Sequence, residues 1–182
     1  MNVSVFGGSQ PKEGDEAYSQ AFRLGMLLGK AGHTVLTGGY IGTMEAVSRG
    51  AAESGALVIG VTCDEIESWR AVKANPWVKE ERHFKTLLER LACLVQNCDA
   101  SIALPGGPGT LVEIALTWNM MIIQSFPRKP LILVGGDWKD MMESFGSHFD
   151  FYIPAYQKEL LSFAQTVEEA VHILQDFFGK QG

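Results

Sequence analysis

Four times along the chain a short apolar run ends in glycines: Gly7-Gly8, Gly38-Gly39 with Gly42, Gly106-Gly107 with Gly109, and Gly135-Gly136. This punctuation constrains the fold more than any other feature. Glycine allows the tight turn and close backbone approach needed where a buried strand hands over to a helix. The chain holds 20 glycines in 182 residues, about 11% against an average near 7%.

The runs read as strands over Val3 to Phe6, Thr34 to Leu36, Leu57 to Val61, Ala100 to Leu104 and Leu131 to Val134. They are apolar rather than alternating, the pattern of strands covered on both faces. Between them the period is helical. Asp15 to Lys30 carries Ala17, Ala21, Leu24 and Leu28 on one face with Gly32 just beyond, and Thr43 to Ser54 stops at Gly55. Further helices are predicted over His83 to Asn97, Thr110 to Gln124, Trp138 to Phe149 and Val167 to Phe178. Thr62 to Lys79, with Trp69, Pro76 and Trp77, has no regular period and reads as a functional loop or cap. The alternation predicts an α/β fold: a single-domain, Rossmann-like, doubly wound parallel sheet over residues 1–182, with helices on both faces. Ligands of such sheets sit beyond the carboxyl ends of the strands, where the glycine loops fall.

Composition narrows the partners. The 15 Lys+Arg against 21 Asp+Glu give a net charge of −6, which argues against a nucleic-acid-binding face. No apolar run approaches the roughly 20 residues of a membrane span. The first residues, Met1 to Gly8, lack the basic and long apolar regions of an export signal, so a cytoplasmic location is expected. Three cysteines, Cys63, Cys93 and Cys98, cannot all pair, and none lies in a Cys-x-x-Cys, so reduced, buried thiols are expected. His33, His83, His148 and His172 show no metal-ligand spacing, and neither a metal nor a cofactor is expected. No strand-end lysine suits a pyridoxal Schiff base.

The strongest local signal is Leu104-Pro105-Gly106-Gly107-Pro108-Gly109-Thr110-Leu111-Val112-Glu113, which joins a strand to a helix. Free amides of the first helical turn, the positive end of its dipole and the Thr110 hydroxyl suit a phosphate. A tight turn with Thr110 as a simple cap is the alternative. The pattern is neither the dinucleotide fingerprint nor a Walker A loop. Thr37-Gly38-Gly39-Tyr40-Ile41-Gly42-Thr43-Met44-Glu45 repeats the arrangement, and Gly8 and Ser9 follow the first strand. Gly8, Ser9, Gly38, Gly39, Gly42, Thr43, Pro105, Gly106, Gly107, Gly109 and Thr110 are therefore the candidate phosphate-binding set. Glu45 suits its helix dipole or a site role.

Gly38-Gly39-x-x-Gly42 followed by Pro105-Gly106-Gly107-x-Gly109-Thr110-x-x-Glu113 resembles the LOG ("Lonely guy") family, long mislabelled as lysine decarboxylases. The resemblance covers roughly residues 3 to 134 and implies a phosphoribohydrolase. Such an enzyme would cleave the N-glycosidic bond of a purine nucleoside 5′-monophosphate, a cytokinin nucleotide in the better-studied members, to free base and ribose 5-phosphate. It implies Arg90 and Glu113 as catalytic residues and a homodimer or higher homo-oligomer. The same fold in a molybdenum-cofactor carrier supplies the alternative, a non-catalytic carrier of a phosphorylated ligand. Three departures mark a divergent branch: Leu91 where a lysine often follows the arginine, Thr37 for a glycine, and Gly42-Thr43-Met44-Glu45 where Gly-Leu-Met-Gly is frequent. One turn after Thr110, Glu113 is spaced to stabilise a ribose cation or activate water, while Arg90 would steady the phosphate or base. Trp69 and Trp77 are candidates to stack on a base. Trp118, Met120 and Met121 read as core or subunit-interface residues.

Overall fold

Strands apolar on both sides must be covered on both sides, and the chain does this with one sheet between two helical layers. The structure is a computed structural model and describes residues 1–179; the last three residues of the expected domain lie outside it. In chain order the elements are β1 (Asn2–Phe6), α1 (Glu16–Lys30), β2 (Thr34–Thr37), α2 (Thr43–Glu53), β3 (Val58–Cys63), α3 (Asp64–Trp69), β4 (Glu80–Phe84) and α4 (Leu87–Gln96). They continue as β5 (Ala100–Ala103), α5 (Pro108–Ile122), β6 (Leu131–Val134), α6 (Gly136–His148), α7 (Ala155–Lys158), β7 (Ser162–Ala164) and α8 (Val167–Gly179). The seven strands run in the order β4-β3-β2-β1-β5-β6-β7, and every pairing is parallel.

Neighbouring residues of one strand feed opposite cores. Val3, Val5, Val35, Ile102, Ile132 and Val134 pack with α1, α2 and α8 through Leu24, Leu28, Val47 and Leu174. Phe6, Leu36, Ile59, Leu131 and Leu133 pack with α4, α5 and α6 through Leu94, Ile114, Trp118 and Trp138. Each such side chain, fully buried, contributes about 1.5–3 kcal/mol. Cys63, Cys93 and Cys98 are free and buried, as expected.

The predicted fold class holds, with three corrections of detail. The helix expected from His83 begins at Leu87, because residues 80–84 extend the sheet as β4. Thr86 accepts from the Glu89 amide while the Glu89 side chain accepts from the Thr86 amide, a capping box that fixes the start of α4. The stretch Thr62 to Lys79 contains the short α3, and β7 with α7 fills the unassigned segment before α8.

Helices α1 and α2 touch backbone to backbone. A Cβ at Gly25 would overlap the Val47 carbonyl oxygen, and one at Gly50 would overlap that of Phe22. This contact fixes the angle at which α2 leaves its loop at the sheet's carboxyl edge. G25A should therefore lower stability by about 1–3 kcal/mol, the usual range for overpacking. G179A, where an added methyl meets nothing within 4 Å, should shift it by less than about 0.5 kcal/mol. Urea midpoints test the pair; equal midpoints for the two variants would rule out the close contact.

Candidate active site

The loops after β1, β2 and β5 meet at the carboxyl edge of the sheet and brace one another. The Gly8 amide donates to the Pro105 carbonyl at 3.2 Å, and the Gly8 carbonyl accepts from both the amide and the hydroxyl of Thr43, each at 3.0 Å. Gly42 makes this possible: its φ is +78°, and a Cβ there would stand 2.6 Å from the Gly8 oxygen. Thr43 thus acts inside the brace. Its hydroxyl is engaged by the protein.

Helix α5 starts at this junction with Gly107 as its N-cap and Pro108 in its first turn. The amides of Gly109 and Thr110 have no backbone partner among the described residues, as expected for the first turn of a helix. Gly107, Gly109 and Thr110 line a cavity of about 480 Å³, together with Gly8, Ser9, Arg90 and Glu113. Pro105, Gly106, Gly38, Gly39, Gly42 and Thr43 are not among the residues that line it; Gly42 lines one neighbouring hollow and Thr43 and Pro105 another. A Cβ on Gly106 would collide with Thr110 Oγ1.

Glu113 and Arg90 come from different helices into this one wall. Arg90 is only 5% exposed. Its Nε donates to the Val61 carbonyl at 2.7 Å and its Nη2 to the Gly38 carbonyl at 3.2 Å. Its guanidinium lies 5.6 Å from the centre of the Tyr40 ring. The Tyr40 hydroxyl accepts from the Cys63 amide at 2.8 Å and donates to the Cys63 carbonyl at 3.2 Å, which pins the ring. Glu113 is 8% exposed, and no group among the described residues donates a hydrogen bond to its carboxylate. Burial pushes its carboxyl up to about 7, with the Arg90 charge pulling weakly the other way. A carboxyl so poised exchanges a proton near neutral pH.

Several site residues escaped sequence reasoning. Arg70, just past α3, donates through Nη1 to Ser9 Oγ at 2.9 Å and stacks 4.4 Å from the centre of the Trp69 ring. Asn75, buried, donates through Nδ2 to the carbonyls of Gly39 and Tyr40 at 3.0 and 2.9 Å and so fixes the glycine loop after β2. Thr37 accepts from the Gly39 amide at 3.1 Å, which explains a hydroxyl at that position. The turn-forming Asn75-Pro76 pair was the one signal available for this stretch. Trp69 lines the cavity mouth. Trp77 instead stacks with Arg49 at 5.5 Å, away from the cavity. Glu45 lines a neighbouring hollow of about 490 Å³ with Lys12 and Arg70. Trp118 and Met121 are buried in the core, Met120 packs against it, and the Trp118 indole donates to the Gln157 carbonyl.

The fold also gathers His83, Glu67 and Glu81, with ligand atoms within 4.8 Å of one another, a grouping that their sequence spacing hides. Protein groups already bond there: His83 reaches Thr62 Oγ1 and Asp64 Oδ1, and Glu67 pairs with Lys73. No described helix is long and apolar enough to cross a membrane.

The family model that corresponds to this arrangement of loops is that of the SLOG cluster4 family, and it matches residues 1–148. The chain belongs to the SLOG cluster4 family. It is similar to the cytokinin riboside 5′-monophosphate phosphoribohydrolase LOG of Oryza sativa subsp. japonica, 32% identical over 183 residues that cover 96% of this chain and 73% of the relative. It is also similar to the cytokinin riboside 5′-monophosphate phosphoribohydrolase of Rhodococcoides fascians, 30% identical over 138 residues, covering 73% of this chain and 67% of the relative. Among solved structures, the molybdenum cofactor binding protein of Rippkaea orientalis superposes with a TM-score of 0.76 at 25% identity, covering 97% of this chain and 96% of that one. The resemblance to the LOG family, read from the motifs, is borne out by these relatives.

Burying Glu113 has a thermodynamic signature. With its carboxyl near 7 in the folded chain and near 4.5 when unfolded, the folded state binds more protons between those pH values, so stability falls as pH rises across that window. E113Q escapes this loss. It should match the parent near pH 4 and exceed it by about 2–3 kcal/mol at pH 8, read from urea midpoints at the two pH values. A difference that is the same at both would contradict the buried, raised carboxyl.

Proposed function

We propose that this protein hydrolyses the N-glycosidic bond of a purine nucleoside 5′-monophosphate, releasing free base and ribose 5-phosphate. The observation that carries this reading is the shared wall of one cavity. The unpartnered amides of Gly109 and Thr110 stand one helical turn from Glu113, a buried carboxyl held near 7. A phosphate against those amides and the helix dipole brings the ribose toward that carboxylate. The relatives named above as cytokinin riboside 5′-monophosphate phosphoribohydrolases support the substrate class.

The chemistry needs a water oxygen bonded to C1′ and the C1′–N bond broken, with the bonding pair leaving on the base nitrogen, which takes up a proton. Positive charge develops on the ribose as the bond lengthens. The Glu113 carboxylate opposes that charge and accepts the proton of the attacking water. Arg90, fixed by two carbonyls, keeps its positive charge at the cavity wall, where it steadies phosphate or departing base and limits how far the Glu113 carboxyl rises. Gly8, Ser9, Gly107, Gly109 and Thr110 are the phosphate cradle, with Gly38, Gly39, Gly42, Thr43, Pro105 and Gly106 as its support.

The resemblance to the molybdenum cofactor binding protein favours a second reading, a carrier that binds a phosphorylated ligand without turnover. Incubation with AMP followed by chromatography separates the two: free adenine supports the hydrolase, and tight binding without release supports the carrier. For the hydrolase, kcat/KM should climb with pH through about 7 as the carboxylate forms. E113Q should lower kcat at least about a hundredfold while affinity for AMP holds, and adenosine should be a far poorer substrate than AMP. Parent-like hydrolysis by E113Q would overturn the mechanism. Helix α5 also exposes Leu111 and Val112, and Ile123 just beyond its end is exposed too; a homodimer through this helix should sediment as a species of twice the chain mass, and a concentration-independent monomer would exclude it.

A further inference from the structure

Among the described residues that line the cavity, Glu113, Arg90 and Arg70 are the acidic and basic side chains. A nucleoside monophosphate brings a charge of about −1.5 to −2 at pH 7. The start of α5 offers the equivalent of about +0.5, and an ionised Glu113 adds to the negative side. Arg90 is a fixed counter-charge: its Nε and Nη2 already hold the carbonyls of Val61 and Gly38, and it is buried. Its charge therefore acts on a ligand from a fixed position at the wall.

Arg70 is built differently. It follows α3 in the stretch that crosses the cavity mouth, and its side chain's one hydrogen bond among the described residues is from Nη1 to the Ser9 hydroxyl at 2.9 Å. Ser9 adjoins Gly8, whose amide is bonded to Pro105 beside the start of α5. Ser9 therefore holds the Arg70 guanidinium on the wall of the same cavity that the free amides of Gly109 and Thr110 line. The Trp69 ring, 4.4 Å away, holds the plane of the guanidinium. A neutral hydroxyl is a weak partner for a fork of five donors, which suits two phosphate oxygens at once.

Resting on the reading of this cavity as a nucleotide site, we infer that Arg70 is a further binding residue: a guanidinium clamp that closes on the 5′-phosphate opposite the α5 amides. It selects phosphorylated ligands over their nucleosides. The Ser9 hydroxyl holds it until a phosphate takes its place.

The test is calorimetric titration of AMP, inorganic phosphate and adenosine into the full chain and into R70A and R70K, with adenine release measured on the same samples. R70A should weaken AMP and inorganic phosphate by about 10- to 100-fold, the scale of one charge-assisted pair of hydrogen bonds, and leave adenosine within about twofold. R70K should recover part of the loss, because it restores the charge without the fork. In turnover, R70A should raise KM far more than it lowers kcat. R70A that binds AMP as the parent does, or that loses AMP and adenosine equally, would overturn the clamp, as would a parent that binds neither AMP nor inorganic phosphate. The proposed hydrolysis fails separately: a parent that binds AMP through Arg70 yet releases no adenine keeps the clamp and removes the reaction.

Discussion

Strand β1 pairs with β2 on one side and β5 on the other, and the chain leaves these two neighbours toward opposite faces of the sheet. The loop after β1 leads to α1, in the layer with α2 and α8, while the loop after β5 leads to α5, in the layer with α4 and α6. Diverging loops open a crevice at the carboxyl edge. Everything at the site depends on this reversal, because it is the place in the sheet where the start of one helix can face the loop of another strand without a third element filling the gap. The bond from Gly8 to Pro105 then sets the width of the crevice.

Within the crevice the decisive balance is between two buried charges that do not pair. A guanidinium bonded directly to a buried carboxylate would hold it low. Here the hydrogen bonds of the Arg90 side chain go to Val61 and Gly38, so Glu113 feels its charge through space while losing its water. Desolvation wins and the carboxyl rises to about 7. The two backbone carbonyls that occupy Arg90 are thus as much a part of the reactivity of Glu113 as Arg90 itself. Tyr40, which pins the guanidinium from below, belongs to the same device.

What the sequence could convey follows from where each signal was stored. β1, β2, β3, β5 and β6 were legible because burial on both faces leaves uninterrupted apolar runs. β4 was not: as an edge strand it carries Glu80, Glu81, Arg82 and His83, and its pairing with β3 comes from the backbone rather than from its side chains. Three-residue β7 is too short to show a period. At the site, the relation of Thr110 to Glu113 was legible because one helix fixes both. The bonds of Arg90 were not, since its partners lie 29 and 52 positions away in the chain. Arg70 was hidden for another reason: nothing in its irregular stretch marks an arginine as facing a cavity rather than solvent.

The departures from the resembling family acquire a physical meaning once the loops are seen together. Thr37 is no obstacle to the glycine loop, because its hydroxyl accepts from the Gly39 amide and also meets Ser48 Oγ at 3.1 Å. Glu45 lies on the first turn of α2, where its charge suits the dipole, and it faces the neighbouring hollow with Lys12 rather than the cavity of Glu113. Its carboxylate therefore does not stand among the groups that would meet a phosphate at the start of α5. Both changes alter the support and the surroundings while the Gly107, Gly109 and Thr110 cradle keeps its geometry. Arg70 lines both hollows, so any effect of Glu45 on an anionic ligand has to pass through the orientation of that one guanidinium.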